Sequence, residues 1–195
     1  MGSLLSYSAI AAKVSAMRSR FLTTEQFKEL AYTPSVPAAV EYLRNLPGYS
    51  QVFAAFDGSE LHRGQIEQLL QNSLYQDFSS LYRFSNVEQR KFLDLYFMHF
   101  EIDILKNCLR NAVSGQASEM DYKAFETFFH SHSRLNLVAL SECTSLPEFI
   151  NGLEGSCFYE PLEQLYTNGV TSVFDYENAM DALYFVRLWK NLVPD

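Results

Sequence analysis

Glu101, Asp103, Lys106 and Arg110 are the one polar constellation in an apolar stretch of this sequence, so chemistry is sought there first. Two carboxylates on one helix could move a proton between acid and base forms. The spacing points elsewhere. Asp103 and Lys106 are three residues apart and can pair, and Arg110 lies four beyond Lys106 on roughly the same face. Glu101 is five before Lys106 and faces differently. Buried charges need partners, and both signs occur here within about two turns. These four residues are read as a structural polar seam that holds a long helix against its neighbours.

The histidines and cysteines are weaker candidates. His130 and His132 flank Ser131, but helical residues two apart face different directions, so a shared metal would need an irregular backbone. Solvation of a helix end is the better reading. His99, among aromatic residues, reads as a core or interface histidine, and His62 has no partner apparent in the sequence. Cys108, Cys143 and Cys157 are odd in number, widely spaced and without a CxxC pair, which suits reduced thiols in a cytosolic protein. Neither GxxxxGK[ST] nor GxGxxG occurs, so no nucleotide cradle is indicated. No catalytic residue, metal or cofactor is assigned. The competing reading is an all-helical enzyme or ligand-binding domain that uses the acidic long helix with His130 or His132.

Composition narrows the class. The chain has 195 residues, 48% hydrophobic and 19% charged, which is globular rather than disordered. A net charge of -8 and the lack of any Lys/Arg run argue against nucleic acid and against an anionic bilayer surface. The most apolar segment, residues 93–105, is broken by Asp94, His99, Glu101 and Asp103, so no membrane span is expected. The start lacks the basic and continuous apolar regions of a secretory signal. Met1 to Ser6 formally fits an N-myristoylation pattern, for which chance is the plainer explanation in so short a motif.

The elements that would position these residues are helices. Ile10, Val14, Met17 and Phe21 mark a helix over Tyr7 to Phe21, and Thr23 with Gln26 forms a capping box for a short helix through Leu30. Ser35 caps the next, with Pro37 in its first turn. After a loop around Asp57-Gly58, a helix of about five turns carries Ile66, Leu70, Leu74 and Phe78. Ser85 and Glu88 are read as the capping box of the longest element, which runs to about Ala112. Its stripes, Leu95/Met98/Ile102/Leu105/Leu109 and Leu93/Phe97/Phe100/Ile104, predict burial from more than one side. Further helices are expected over Tyr122 to Phe129, Leu135 to Glu142, Pro147 to Glu154 and Tyr176 to Leu192, with no period-two pattern for a sheet. The fold class is all-α.

A shift of 110 residues pairs Leu30 with Leu140, Ser35 with Ser145, Pro37 with Pro147, Leu43 with Leu153 and Tyr49 with Tyr159. The same shift pairs Glu67 with Glu177, Leu70 with Met180, Tyr75 with Phe185 and Phe78 with Leu188. Two helical repeats follow: residues 1–115, which include the long helix, and residues 116–195, which lack its counterpart. The helix from Tyr176 therefore expects a partner for Ala179, Leu183, Val186 and Trp189, with Tyr184 and Phe185 beside them. Left in water, this surface predicts that the chain self-associates through its C-terminal helix or leaves that helix mobile.

YSAIAAKVSAMRSRFLTTEQFKELAYTPSVPAAVEYLRNLPGYSQVF (residues 7–53) resembles the opening of the C subunit of V-type and A-type ATPases, known in eukaryotes as the d subunit. YFMHFEIDILKNCLRNAVSG (96–115) resembles that family's long-helix signature, an acidic pair followed by Leu-Lys-Asn and Leu-Arg. SLPEFINGLEGSCFYEPLEQL (145–165) resembles its second-repeat helix and turn. The resemblance implies a funnel of three helical repeats on the cytoplasmic face of the membrane rotor ring. It also implies a non-catalytic socket, with ring and central-stalk subunits as partners, for ion transport coupled to ATP hydrolysis or synthesis. The first repeat and most of the second are represented.

Overall fold

A computed structural model of the chain describes residues 2–56, 61–116 and 123–192. The loop expected around Asp57-Gly58 and the helix start expected at Tyr122 lie outside the described residues. The chain forms two compact units, residues 1–85 and 86–195. All regular structure among the described residues is helical.

In the first unit the helices are α1 (Gly2–Arg18), α2 (Thr24–Ala31), α3 (Val36–Arg44), α4 (Ser50–Phe53) and α5 (Arg63–Phe84). Helix α1 begins earlier and ends earlier than the periodicity suggests, because Thr23 already caps α2 and the chain must extend before it. The Thr23 hydroxyl accepts the Gln26 N–H at 3.2 Å, and the Gln26 side chain accepts the Thr23 N–H at 2.9 Å. Ser35 caps α3 through the Ala38 N–H, with proline in the first turn. Val40, Leu43, Phe53 and Leu61 form the unit's core, flanked by Leu30, Tyr49, Ile66 and Leu70. The turn after α3 requires glycine: a Cβ on Gly48 would lie 2.2 Å from the Arg20 carbonyl oxygen, a backbone atom that cannot swing away.

The second unit is built on α6 (Val87–Ser114), 28 residues long and therefore about 42 Å. Both apolar stripes are buried throughout, from Leu93 to Leu109. Helices α8 (Leu137–Glu142), α9 (Leu146–Gly152) and α11 (Val173–Leu192) each pack against α6, so it is enclosed from several sides. Helix α7 (Lys123–His132) lies against α8, and α10 (Tyr159–Thr167) bridges α9 and α11. The cap of α6 sits one residue beyond the expected Ser85/Glu88 box. Asn86 accepts the Gln89 N–H at 2.9 Å and Gln89 accepts the Asn86 N–H at 3.0 Å. Ser85 instead closes the preceding helix by donating its hydroxyl to the Leu81 carbonyl at 2.7 Å. Gly115, at φ 70°, ends α6 in the left-handed conformation that glycine tolerates best.

The 110-residue shift reappears in the helix positions. Helices α3 and α9 start at Val36 and Leu146, each after a serine and with proline in the first turn, while α5 and α11 start at Arg63 and Val173. Val40 and Leu43 in α3, and Ile150 and Leu153 at their shifted positions, are all buried. The compact units divide the chain after Ser85, so α6, which the sequence reading assigned to a first repeat over residues 1–115, packs with the second unit.

Candidate functional site

Lys106 and Arg110 are one turn apart on α6, and Glu177 and Asp181 are one turn apart on α11. Lys106 Nζ donates to both Asp181 carboxylate oxygens, at 2.6 and 2.7 Å. Arg110 Nε donates to Glu177 Oε1 at 2.6 Å. Numbers rise along α6 as they fall along α11, so the two helices run antiparallel. Lys106 thus pairs across to α11 rather than with Asp103, which stands by His99 at 3.7 Å in the i,i+4 relation. Both cross-helix pairs use carboxylates of α11 that the reading of α6 alone did not include. Their signal was present all the same: acids spaced by four, opposing bases spaced by four, in an acidic helix start.

Glu101 lies apart from those pairs. Burial pushes its carboxyl up to about 7, against a hydrogen bond from Ser133 and the positive charge of Arg187, which both favour ionisation. Burial likewise raises the Cys157 thiol, with Arg187 opposing and Glu101 reinforcing the shift. Glu101, Ser133, Cys157 and Arg187 therefore share one environment assembled from α6, the segment after α7, the segment before α10, and α11. Residues so far apart in sequence left no local pattern to read.

The histidines separate. His132 is half-buried, its ring 5.2 Å from Phe97 and 5.3 Å from Phe128, and burial lowers its pKa against the pull of Asp94. His130 is exposed beside a small cleft with Glu126 and Arg134. His99 is exposed rather than in the core, at the junction with α11, its ring 6.0 Å from Tyr184. His62 does have a role: it caps α5, its Nδ1 accepting the Gln65 N–H at 3.4 Å while Gln65 accepts the His62 N–H at 3.1 Å. Cys108 is fully buried and Cys143 and Cys157 half-buried, and none of the three is in a disulfide. Among the described residues, no three of His, Cys, Asp or Glu gather where they could hold a metal ion. No helix among them is long and apolar enough to cross a membrane.

The fold and its charged pairs define an all-helical protein whose most prominent polar groups join one helix to another. The chain belongs to the ATP synthase (C/AC39) subunit family, whose model matches residues 10–194. It is similar to the A-type ATP synthase C subunit of Methanococcoides burtonii, 26% identical over 192 residues, covering 96% of this chain and 51% of that protein. It is also similar to the A-type ATP synthase C subunit of Methanocaldococcus jannaschii, 21% identical over 194 residues, covering 98% of this chain and 48% of that protein. The chain thus spans about half the length of the curated relatives it matches. No solved structure matches it significantly.

Proposed function

We propose that the chain serves as a non-catalytic coupling element of a V-type or A-type rotary ATPase, linking the ion-carrying membrane ring to the central stalk. The observation that carries this reading is the family match running through both compact units, from residue 10 to residue 194. A coupling element must transmit force between partners, which asks for stiff, well-packed helices rather than a reaction centre. Helix α6, enclosed by three neighbours, is such an element. The protein would sit on the cytoplasmic side, peripheral to the membrane through the complex. Co-purification tests the proposal: the chain, expressed with ring and stalk subunits, is expected to be retained stoichiometrically and to show no ATP hydrolysis alone. Failure to bind either partner, or hydrolysis abolished by a point substitution in this chain, would overturn it.

Within that reading we propose a structural role for the seam of Glu101, Asp103, Lys106 and Arg110, in which Lys106 and Arg110 hold α11 in register on α6. The Lys106 side chain is largely buried, whereas Asp181 is 42% exposed, so solvent screens part of the attraction. Lys106→Glu is expected to lower stability by about 1–3 kcal/mol, because it sets two carboxylates face to face. Adding Asp181→Lys should recover much of the loss. Urea melts of the single and double variants measure this, and equal losses in both would show that the pair does not couple.

A further inference from the structure

We infer that α6 and the second half of α11 form a proton-controlled junction, closed while the Glu101 carboxyl is neutral and loosened when it ionises. The antiparallel register sets its levels. Arg110–Glu177 and Lys106–Asp181, each at 2.6 Å, fasten the first half of α11. Five residues back along α6 and six on along α11 bring Glu101 to the level of Arg187. There the signs are reversed, with the acid on α6 and the base on α11. Among the described residues Glu101 has no ion-pair contact: it takes a hydrogen bond from Ser133, and Arg187 acts on it by charge from farther away. The packing divides at the same place. Tyr176 and Met180 in the first half are fully enclosed, whereas from Asp181 to Asn191 no residue is buried.

A carboxylate without a salt-bridge partner is costly to hold away from water, whereas the neutral acid with a hydrogen bond is not. Burial accordingly raises the Glu101 carboxyl to about 7, although Ser133 and Arg187 both favour the charged form. When the proton leaves, admitting water relieves the charge, and the second half of α11 is the least enclosed element around it. Cys157, before α10, is the other titratable group of this cluster, and burial raises its thiol, so it stays neutral through the same range. The remaining charged groups near α6 face elsewhere. His132 lies against Phe97 and Phe128 and is drawn by Asp94. Glu142 of α8 and Glu148 of α9 act on Cys143. His99 stands 3.7 Å from Asp103, with its ring toward Tyr184. The device lies within the α6–α11 pair, so it does not depend on what covers the outward side of α11.

Hydrogen exchange of the whole 195-residue chain at pH 6 and pH 8, read as protection factors in low concentrations of urea, tests this inference. With the carboxyl at about 7 when closed and near its ordinary 4.5 when open, protection of amides 184–191 is expected to fall about tenfold between the two pH values. Their exchange should be nearly insensitive to urea, as local opening is, whereas amides 176–181 should exchange only through urea-sensitive unfolding. Glu101→Gln, neutral at every pH, should abolish the fall. Arg187→Gln removes a charge that favours ionisation, so the midpoint of the fall should move to higher pH. Protection of 184–191 that does not change with pH overturns the inference. A fall that survives Glu101→Gln belongs to another group, such as His99 or His132, and also overturns it. Equal protection and equal urea dependence in both halves of α11 would show that no part of it loosens separately, with the same consequence. An unmoved midpoint in Arg187→Gln would overturn the place given to Arg187.

Discussion

Leu105→Ala is expected to lower the unfolding free energy by about 2–5 kcal/mol, a large share of what a domain of this size possesses. Leu105 is fully enclosed on α6, the helix that α8, α9 and α11 all pack against. Truncation removes apolar contacts on several fronts, and with helices held on different sides the cavity cannot collapse easily. Phe92→Ala provides the comparison on the same helix: Phe92 is 49% exposed, and its loss should cost less than about 1 kcal/mol. Urea midpoints measure both. Equal, small shifts would show that α6 is not the shared core of its unit.

A second large effect should appear with pH. Burial pushes the Glu101 carboxyl up to about 7 in the folded chain, from 4.5 for an unperturbed glutamate. Between those values the folded state holds a proton that the unfolded state has lost. The contribution of Glu101 is therefore fully present below about pH 4.5 and is lost as pH rises through 7. Its full size is about 3 kcal/mol by the usual conversion of pKa difference to free energy. Glu101→Gln keeps the neutral form at every pH, so urea midpoints compared at pH 5 and pH 8 should fall more in the parent than in the variant. Parallel falls would mean that the carboxyl is better solvated than its surroundings indicate.

Helix existence was the most legible property of this chain, because caps and apolar spacing agree locally. Thr23, Ser35 and the two stripes of α6 are cases in which a few neighbouring residues specify the outcome. Helices α4 and α10 escaped the sequence reading, and neither has a side-chain cap, so the strongest start signal was missing. His62 was opaque for the opposite reason: it caps α5, a task usually given to serine, threonine or aspartate. The ion pairs between α6 and α11 were half legible. Lys106 and Arg110 could be singled out on α6, but i,i+3 spacing drew Asp103 toward Lys106, and tertiary packing brought Asp181 instead. The surroundings of Glu101 depend on Ser133, Cys157 and Arg187, which only the packed helices bring near.

The link from α6 to α11 also orders events in time. Lys106 and Asp181 are 75 residues apart, so a ribosome adding about 5–20 residues per second needs roughly 4–15 s between them. During that interval α6 has been synthesised with its principal counter-charge still to come. The first unit draws on residues 1–85 alone and has all its material beforehand. For those seconds the nascent chain carries a finished neighbour and a long helix whose α11-facing side is bare, the stretch of synthesis in which a chaperone would have most to shield.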